Sequence, residues 1–331
     1  MTDRILISGG AGFIGFYLAK RLLLEGYKVC LVDNHYRGVF DRDLAELLKH
    51  PNATFTNIDL LDSQSVEKLG ADFQVIVHLA AIIGVRHVLK RPYDVLWHNT
   101  SMLNNLITLG QRQTKLRRFL FASTSEIYAG GVEHYGLTIP TPEDSLLTVN
   151  EVSAPRTSYM LSKIMGEAMV QHSGLPFSIF RPHNIYGPRM GLAHVIPEQL
   201  RKAHDADSGD SIDVPSAEHT RAFCFVSDSV EMLFRIMKNE SCRDEVLNLG
   251  TERPEITIGD LVRLCIRTVN KSIVINELPP FEGSPKRRAP DMQKTKDLLG
   301  FESQISLPEG IAKTWAWYRE NIFGSADRSA I

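Results

Sequence analysis

Apolar positions follow two rhythms along the first half of the chain. Short unbroken apolar runs read as strands buried on both faces: Arg4 to Ser8, Lys28 to Asp33, Thr54 to Ile58, Gln74 to His78, Arg118 to Ala122 and Phe177 to Phe180. Between them, apolar residues recur at helical spacing. Phe13 to Glu25 places Ile14, Leu18, Leu22 and Leu23 on one stripe and stops at Gly26. Pro92 to Leu109 and Thr157 to His172 are longer segments of the same kind. This alternation predicts βαβ units, hence an α/β fold with a doubly wound parallel sheet. After residue 182 prolines become frequent, yet Glu245 to Leu249, Ile258 to Val269 and Leu307 to Asn321 keep the periodicity. The texture predicts a first domain over 1–182 with later segments interleaved, a smaller α/β lobe over 183–322, and a flexible tail over 323–331.

Composition narrows the class. The 331 residues are 43% hydrophobic and 23% charged, with a net charge of −2. A balance this near zero excludes a general nucleic-acid or membrane-surface binder. Four scattered cysteines, Cys30, Cys224, Cys242 and Cys265, exclude a disulfide scaffold and read as buried thiols. The histidines show no ligand spacing, so no metal site is expected. The first strand follows Met1-Thr2-Asp3 directly, and no apolar run approaches the roughly 20 residues that span a bilayer. A cytoplasmic chain is expected.

Three groups of residues carry chemistry. Gly9, Gly12 and Gly15 lie between the first strand and the first helix, where bare backbone and a helix N-terminus suit a pyrophosphate. Asp33 ends the second strand, where a carboxylate binds adenosine ribose hydroxyls and repels a 2′-phosphate. NAD in a Rossmann-type domain is therefore expected, with Arg37 able to soften the preference over NADP. Tyr159 and Lys163, at i and i+4 of a helix, share a face. An ammonium there would lower the phenol's pKa and ready it to take a hydroxyl proton. Phe121-Ala122-Ser123-Thr124-Ser125-Glu126 ends a buried strand in hydroxyls and a carboxylate, at the sheet edge where ligands bind. Thr124 would hydrogen-bond the reacting hydroxyl; Glu126 would act as a base or hold a sugar hydroxyl.

With these motifs the chain resembles the extended short-chain dehydrogenase/reductase family, in its nucleotide-sugar epimerase/dehydratase branch. Further matching residues are Asp59-Leu60, His78-Leu79-Ala80-Ala81, Asn99 and Arg181-Pro182-His183-Asn184-Ile185-Tyr186-Gly187-Pro188. The resemblance implies that Gly9, Gly12, Phe13, Ile14, Gly15, Asp33, Asn34, Asp59, Leu60, Leu79, Ala80, Ala81, Asn99, Tyr159, Lys163, Pro182 and Ile185 hold NAD. It implies Thr124, Glu126, Tyr159 and Lys163 as catalytic residues. Ser125, Asn184, His194, Val195, Arg221 and Arg288 would meet the nucleotide sugar. Arg86 would meet a uronate carboxylate, or is a surface charge at a helix start.

The resemblance implies oxidation at C4 of the sugar to a 4-keto intermediate. Of the continuations, a UDP-sugar epimerase is the leading expectation. UDP-glucuronate decarboxylation, which Thr124-Ser125-Glu126 resembles, and 4,6-dehydration are the alternatives, with a non-catalytic NAD-binding sensor or scaffold as a remote one. A homodimer through helices 92–109 and 157–172 is also implied. The stretch 129–158 is expected to be a long loop overlying the sugar pocket.

Overall fold

The computed structural model describes residues 2–149, 151–280 and 285–324, apart from the side chains of residues 85–87. Six strands of its first half, β1 (Arg4–Ser8), β2 (Lys28–Asp33), β3 (Ala53–Asn57), β4 (Val75–His78), β5 (Arg118–Ala122) and β6 (Phe177–Pro182), form one parallel sheet. The second half supplies β7 (Ile185–Tyr186), β8 (Ser211–Pro215), β9 (Thr220–Ala222), β10 (Cys224–Phe225), β11 (Glu245–Leu249), β12 (Glu255–Thr257), β13 (Val274–Leu278) and β14 (Arg287–Arg288).

The main sheet runs β11-β6-β5-β4-β1-β2-β3. Its strands are apolar throughout because both faces are covered. Side chains alternate between two cores. Ile5, Ile7, Leu31 and Val77 join the helices Phe13–Leu24 and Val226–Lys238 on one face. Leu6, Cys30, Val32 and Ile76 meet the helix Pro92–Gln111 on the other. The order reverses between β1 and β4, which opens a crevice at the carboxyl ends of those strands. Ser8 and His78 pair across it in register, the serine Oγ 2.7 Å from the imidazole Nδ1. Burial holds this histidine neutral, its pKa pushed down to about 3. It is a strut between the two strands.

The later part of the chain returns to the main sheet. β11 pairs with β6, with Asn248 opposite Arg181. β9 lies between β12 and β14, and Arg221 and Arg288 stand side by side in its parallel pairing with β14. All four cysteines are buried and free.

Several expected boundaries move. The third strand begins and ends one residue early, and β6 runs on to Pro182. The last helix spans Leu307–Tyr318 and passes into a π turn, Arg319–Phe323. Phe323, expected to open a flexible tail, stacks on His204 with centroids 5.0 Å apart; residues 325–331 lie outside the described residues. The stretch 129–158 is not one loop. It opens with the helix Ala129–Tyr135, and Thr141 then bridges to Pro290. Thr138 to Glu143 is thereby fastened to the segment that follows Arg288.

Candidate active site

The glycine loop is built by steric exclusion. Gly9 has φ 72°, and a Cβ at Gly15 would collide with the Gly9 carbonyl. The helix Phe13–Leu24 therefore starts hard against β1, and the amides of Phe13 and Ile14 have no intrahelical acceptor. Asp33 accepts from the amide of Ala11 at 3.0 Å and from that of His35 at 2.9 Å. A carboxylate has about four acceptor sites, so capacity remains for two ribose hydroxyls. Gly38 packs so close to Asp33 that a Cβ would strike the carboxylate. These residues fit a dinucleotide: amides for the pyrophosphate, an acid for the ribose.

Asn34 is exposed beside Asp33. Asp59 is exposed, while Leu60 is buried with its carbonyl held by Asn105 at 2.8 Å. Leu79, Ala80 and Ala81 leave the end of β4. Asn99 pins this edge: its Oδ1 accepts from the amide of Ile82 at 2.7 Å and its Nδ2 donates to Ser162 at 3.2 Å. It thereby ties the groove to the helix that carries Tyr159. Pro182 and the buried Ile185 close the far side.

Thr124, Tyr159 and Lys163 converge where β5 meets the helix Thr157–Gln171. Thr124 lies two residues beyond β5 and caps the 3-10 turn Ser125–Tyr128. Its hydroxyl also bonds the Tyr159 phenol and pulls that pKa down, against burial, which raises it more. Lys163 follows Tyr159 by one helical turn and is buried. Its ammonium donates to the carbonyl of Ala122 at 2.7 Å and lies 5.9 Å from the Tyr159 ring centroid. Burial pushes its pKa down to about 7. The charge of Glu126 also opposes phenolate, and the positive charge of Arg37 favours it.

The second part of the site is a charge cluster. Arg288 forms an ion pair with Glu126. The arginine holds the carboxyl below the usual range, with smaller contributions from Arg156 and Arg221. Arg221 lies parallel to Arg288 and donates to the carbonyls of Thr220 at 2.7 Å and Pro285 at 2.8 Å. Burial, then Arg288, pushes its pKa down to about 10. One guanidinium thus pairs with the carboxylate, and the charges of two more favour its ionised form. Ser125 is buried at its base. Asn184, at φ 43°, donates to the carbonyl of Ala222 at 2.9 Å, so β9 orients its amide.

His194 caps the helix Val195–Asp205. Burial and the charge of Arg37 push its pKa down to about 4. Arg86 lies in the helix Val85–Lys90 and its side chain is outside the described residues. Among the described residues no cluster of histidine, cysteine and carboxylate could hold a metal.

Sequence reasoning missed Arg156 and Asn248. Arg156 precedes Tyr159 by three residues, a spacing that shares a helix face. Asn248 is a fully buried polar residue in the strand Glu-Val-Leu-Asn-Leu, and such a residue demands partners.

A parallel sheet with a glycine loop, a strand-end acid and a Thr/Tyr/Lys cluster defines a dinucleotide-dependent enzyme. The chain belongs to the NAD dependent epimerase/dehydratase family, whose model matches residues 5–250. It is 33% identical over 335 residues to the UDP-N-acetyl-alpha-D-glucosaminuronate decarboxylase of Bacillus cytotoxicus, covering 97% of this chain and 99% of that protein. It is 32% identical to UDP-glucuronic acid decarboxylase 1 of Xenopus tropicalis, covering 99% of this chain and 75% of that one. Among solved structures, UDP-glucose 4-epimerase from Thermotoga maritima with UDP-glucose superposes with TM-score 0.80 at 26% identity, over 96% of this chain and 99% of that one. UDP-glucuronic acid 4-epimerase from Bacillus cereus, in complex with NAD, gives 0.83 at 24% over 96% and 99%. The protein is an NAD-dependent enzyme of the nucleotide-sugar type. The sequence relatives support the decarboxylase alternative better than the epimerase expectation.

Proposed function

We propose that the chain decarboxylates a UDP-uronate. The observation that carries this is the ion pair of Arg288 with Glu126, with Arg221 in register beside Arg288 and the charges of Arg221 and Arg156 also acting on the carboxyl. A UDP-uronate brings a diphosphate and a carboxylate, and three guanidiniums against one acid leave positive charge to meet them. A neutral hexose would offer no sugar anion to this site. The names of the sequence relatives support the same reading.

NAD, when bound in the groove, would accept a hydride from C4 of the sugar and later return it. Tyr159 takes the C4 hydroxyl proton, while Thr124 holds that oxygen. Lys163, near neutrality in its pKa, can share protons with the ribose and the phenol. The C4 ketone makes the C5 carboxylate a β-keto acid. Its C5–C6 bond breaks, carbon dioxide leaves, and the electron pair passes into a C4–C5 enolate. A proton then adds at C5, and Tyr159 returns its proton to the C4 oxygen as the ketone is reduced. Glu126, kept ionised by Arg288, is placed to hold a sugar hydroxyl, and the C5 proton comes from water. No net oxidation results.

Residues 1–182, with β11, would hold NAD, and residues 183–322 the uridine diphosphate. Exposed Tyr93, Trp97 and Met165 on the helices Pro92–Gln111 and Thr157–Gln171 support a homodimer through that face.

The test is to incubate the protein with NAD and UDP-glucuronate, or with UDP-N-acetylglucosaminuronate, and follow mass. Loss of carbon dioxide is expected. Loss of water, or an unchanged mass with a new sugar NMR pattern, overturns the reading.

A further inference from the structure

Asn248 is fully buried, and all four hydrogen-bonding positions of its side-chain amide are filled. Its Nδ2 donates to the carbonyls of Thr141 and Asp291, both at 3.0 Å. Its Oδ1 accepts from the Tyr128 hydroxyl at 2.9 Å and lies 3.1 Å from His183 Nε2. Burial keeps this imidazole neutral, its pKa down to about 3. His183 Nδ1 has no partner among the described residues. The tautomer protonated at Nε2, which donates to Asn248, leaves only an acceptor orphaned.

Three of the four partners belong to the two sides of the Glu126–Arg288 ion pair. Tyr128 ends the same 3-10 turn that contains Glu126. Asp291 and Thr141 belong to the other side. Thr141 donates its amide to Ala289, the residue after Arg288, at 2.9 Å, and accepts from the amide of Asp291 at 2.9 Å. Thr138 to Glu143 form a strap on that side, tied again where the backbone amide of Asn248 donates to the Glu143 carboxylate at 2.7 Å. Beyond Tyr128 the network ends in a buried ion pair, Arg181 with Glu167, whose arginine also donates to the tyrosine hydroxyl at 2.7 Å.

We infer that Asn248 is a positioning residue that sets the spacing of Glu126 and Arg288, and so the pocket's grip on the anionic sugar nucleotide. It touches neither substrate nor cofactor. It joins the two backbone segments that present the pair, from 120 residues away on the Tyr128 side and 43 on the Asp291 side. An aspartate of the same shape would keep the acceptor for Tyr128. It would lose both donors and set a charge against two carbonyls, which frees the strap while leaving the 3-10 turn tied. The inference deepens the proposed function and rests on it.

The experiment is a double-mutant cycle on NAD-loaded protein carrying Tyr159→Phe throughout, so that substrate binds without turnover, read as the dissociation constant for UDP-glucuronate by titration calorimetry. Asn248→Asp and Arg288→Ala are each expected to weaken binding about tenfold or more, with NAD retention within about twofold of wild type. The double variant should bind no more weakly than Arg288→Ala alone, because the asparagine acts through that arginine. A structural role elsewhere would give additive losses, and additivity overturns the inference. Should Asn248→Asp fail to fold, Tyr128→Phe against Glu126→Gln forms the same cycle with the same two outcomes. A Tyr159→Phe parent that binds no UDP-uronate overturns the function and this inference together; additive losses in a parent that does bind overturn this inference alone.

Discussion

Arg189 and Asp41, 148 residues apart, form a buried ion pair with Nε to Oδ2 at 2.6 Å. The same guanidinium donates to the carbonyls of Ala11 at 3.1 Å and Val39 at 2.8 Å and lies over the Phe16 ring. One side chain from the loop after β7 thus holds the glycine loop and the turn after β2 together. Removing it leaves Asp41 without its partner and the glycine loop without an anchor. Arg189→Ala is expected to cost about 3 kcal/mol of stability and to weaken NAD binding about tenfold. Urea unfolding and fluorescence titration with NAD measure the two. An unchanged NAD affinity in a folded variant contradicts the anchoring role.

The Thr124 hydroxyl acts on the Tyr159 phenol just beyond the end of β5. Tyr159→Phe keeps the ring and its packing but removes the proton acceptor. Turnover should fall about 10²–10⁴-fold, with NAD retention unchanged. Thr124→Val should cost less, about tenfold, since it removes one neutral hydrogen bond. Steady-state rates on the UDP-uronate check both, and a Tyr159→Phe variant near wild-type rate would remove the tyrosine from the reaction.

Much of this arrangement is legible in the sequence. Strands such as Ile5-Leu6-Ile7 announce themselves because they are apolar on both faces and end in glycines. The glycine loop, Asp33 and the Tyr159/Lys163 spacing are local patterns that the fold leaves in place. What is hidden depends on contacts remote in sequence. Nothing near Arg221 or Arg288 says that the two stand in register on β9 and β14. Nothing near Lys163 says that its ammonium turns to Ala122. Thr138 to Glu143 reads as a proline-rich loop because its partners, Asn248 and Ala289 to Asp291, lie more than a hundred residues further on. Spacing tells which side chains share a helix face, but not the burial that decides their protonation.

The helices Pro92–Gln111 and Thr157–Gln171 pack on each other and still leave Trp97 and Met165 more than half exposed. Large apolar groups clustered on one face mark an interaction surface. A charge set into its centre would be desolvated without a partner if a second copy covered it. Trp97→Glu should therefore convert a dimer into a monomer while the fold survives. Light scattering at micromolar concentration reads the change, and a wild type already monomeric there refutes the dimer.

Lys163 carries a cost that the fold bears for its chemistry. Its pKa is about 7 in the folded chain, pushed down by burial, against 10.5 for an ordinary lysine. Between these values the unfolded chain binds the proton and the folded chain sheds it. Stability therefore rises with pH across that window, and below pH 7 the penalty is fully present. Lys163→Met removes it at the loss of one hydrogen bond to Ala122. At pH 7 the variant should be about 2 kcal/mol more stable than wild type, the buried charge outweighing the hydrogen bond. The difference should shrink steadily toward pH 10 as the unfolded lysine loses its proton. Turnover should be lost throughout. Chemical denaturation of both proteins at pH 7, 8.5 and 10 measures the convergence, and a gap independent of pH would show that Lys163 is not the residue that titrates.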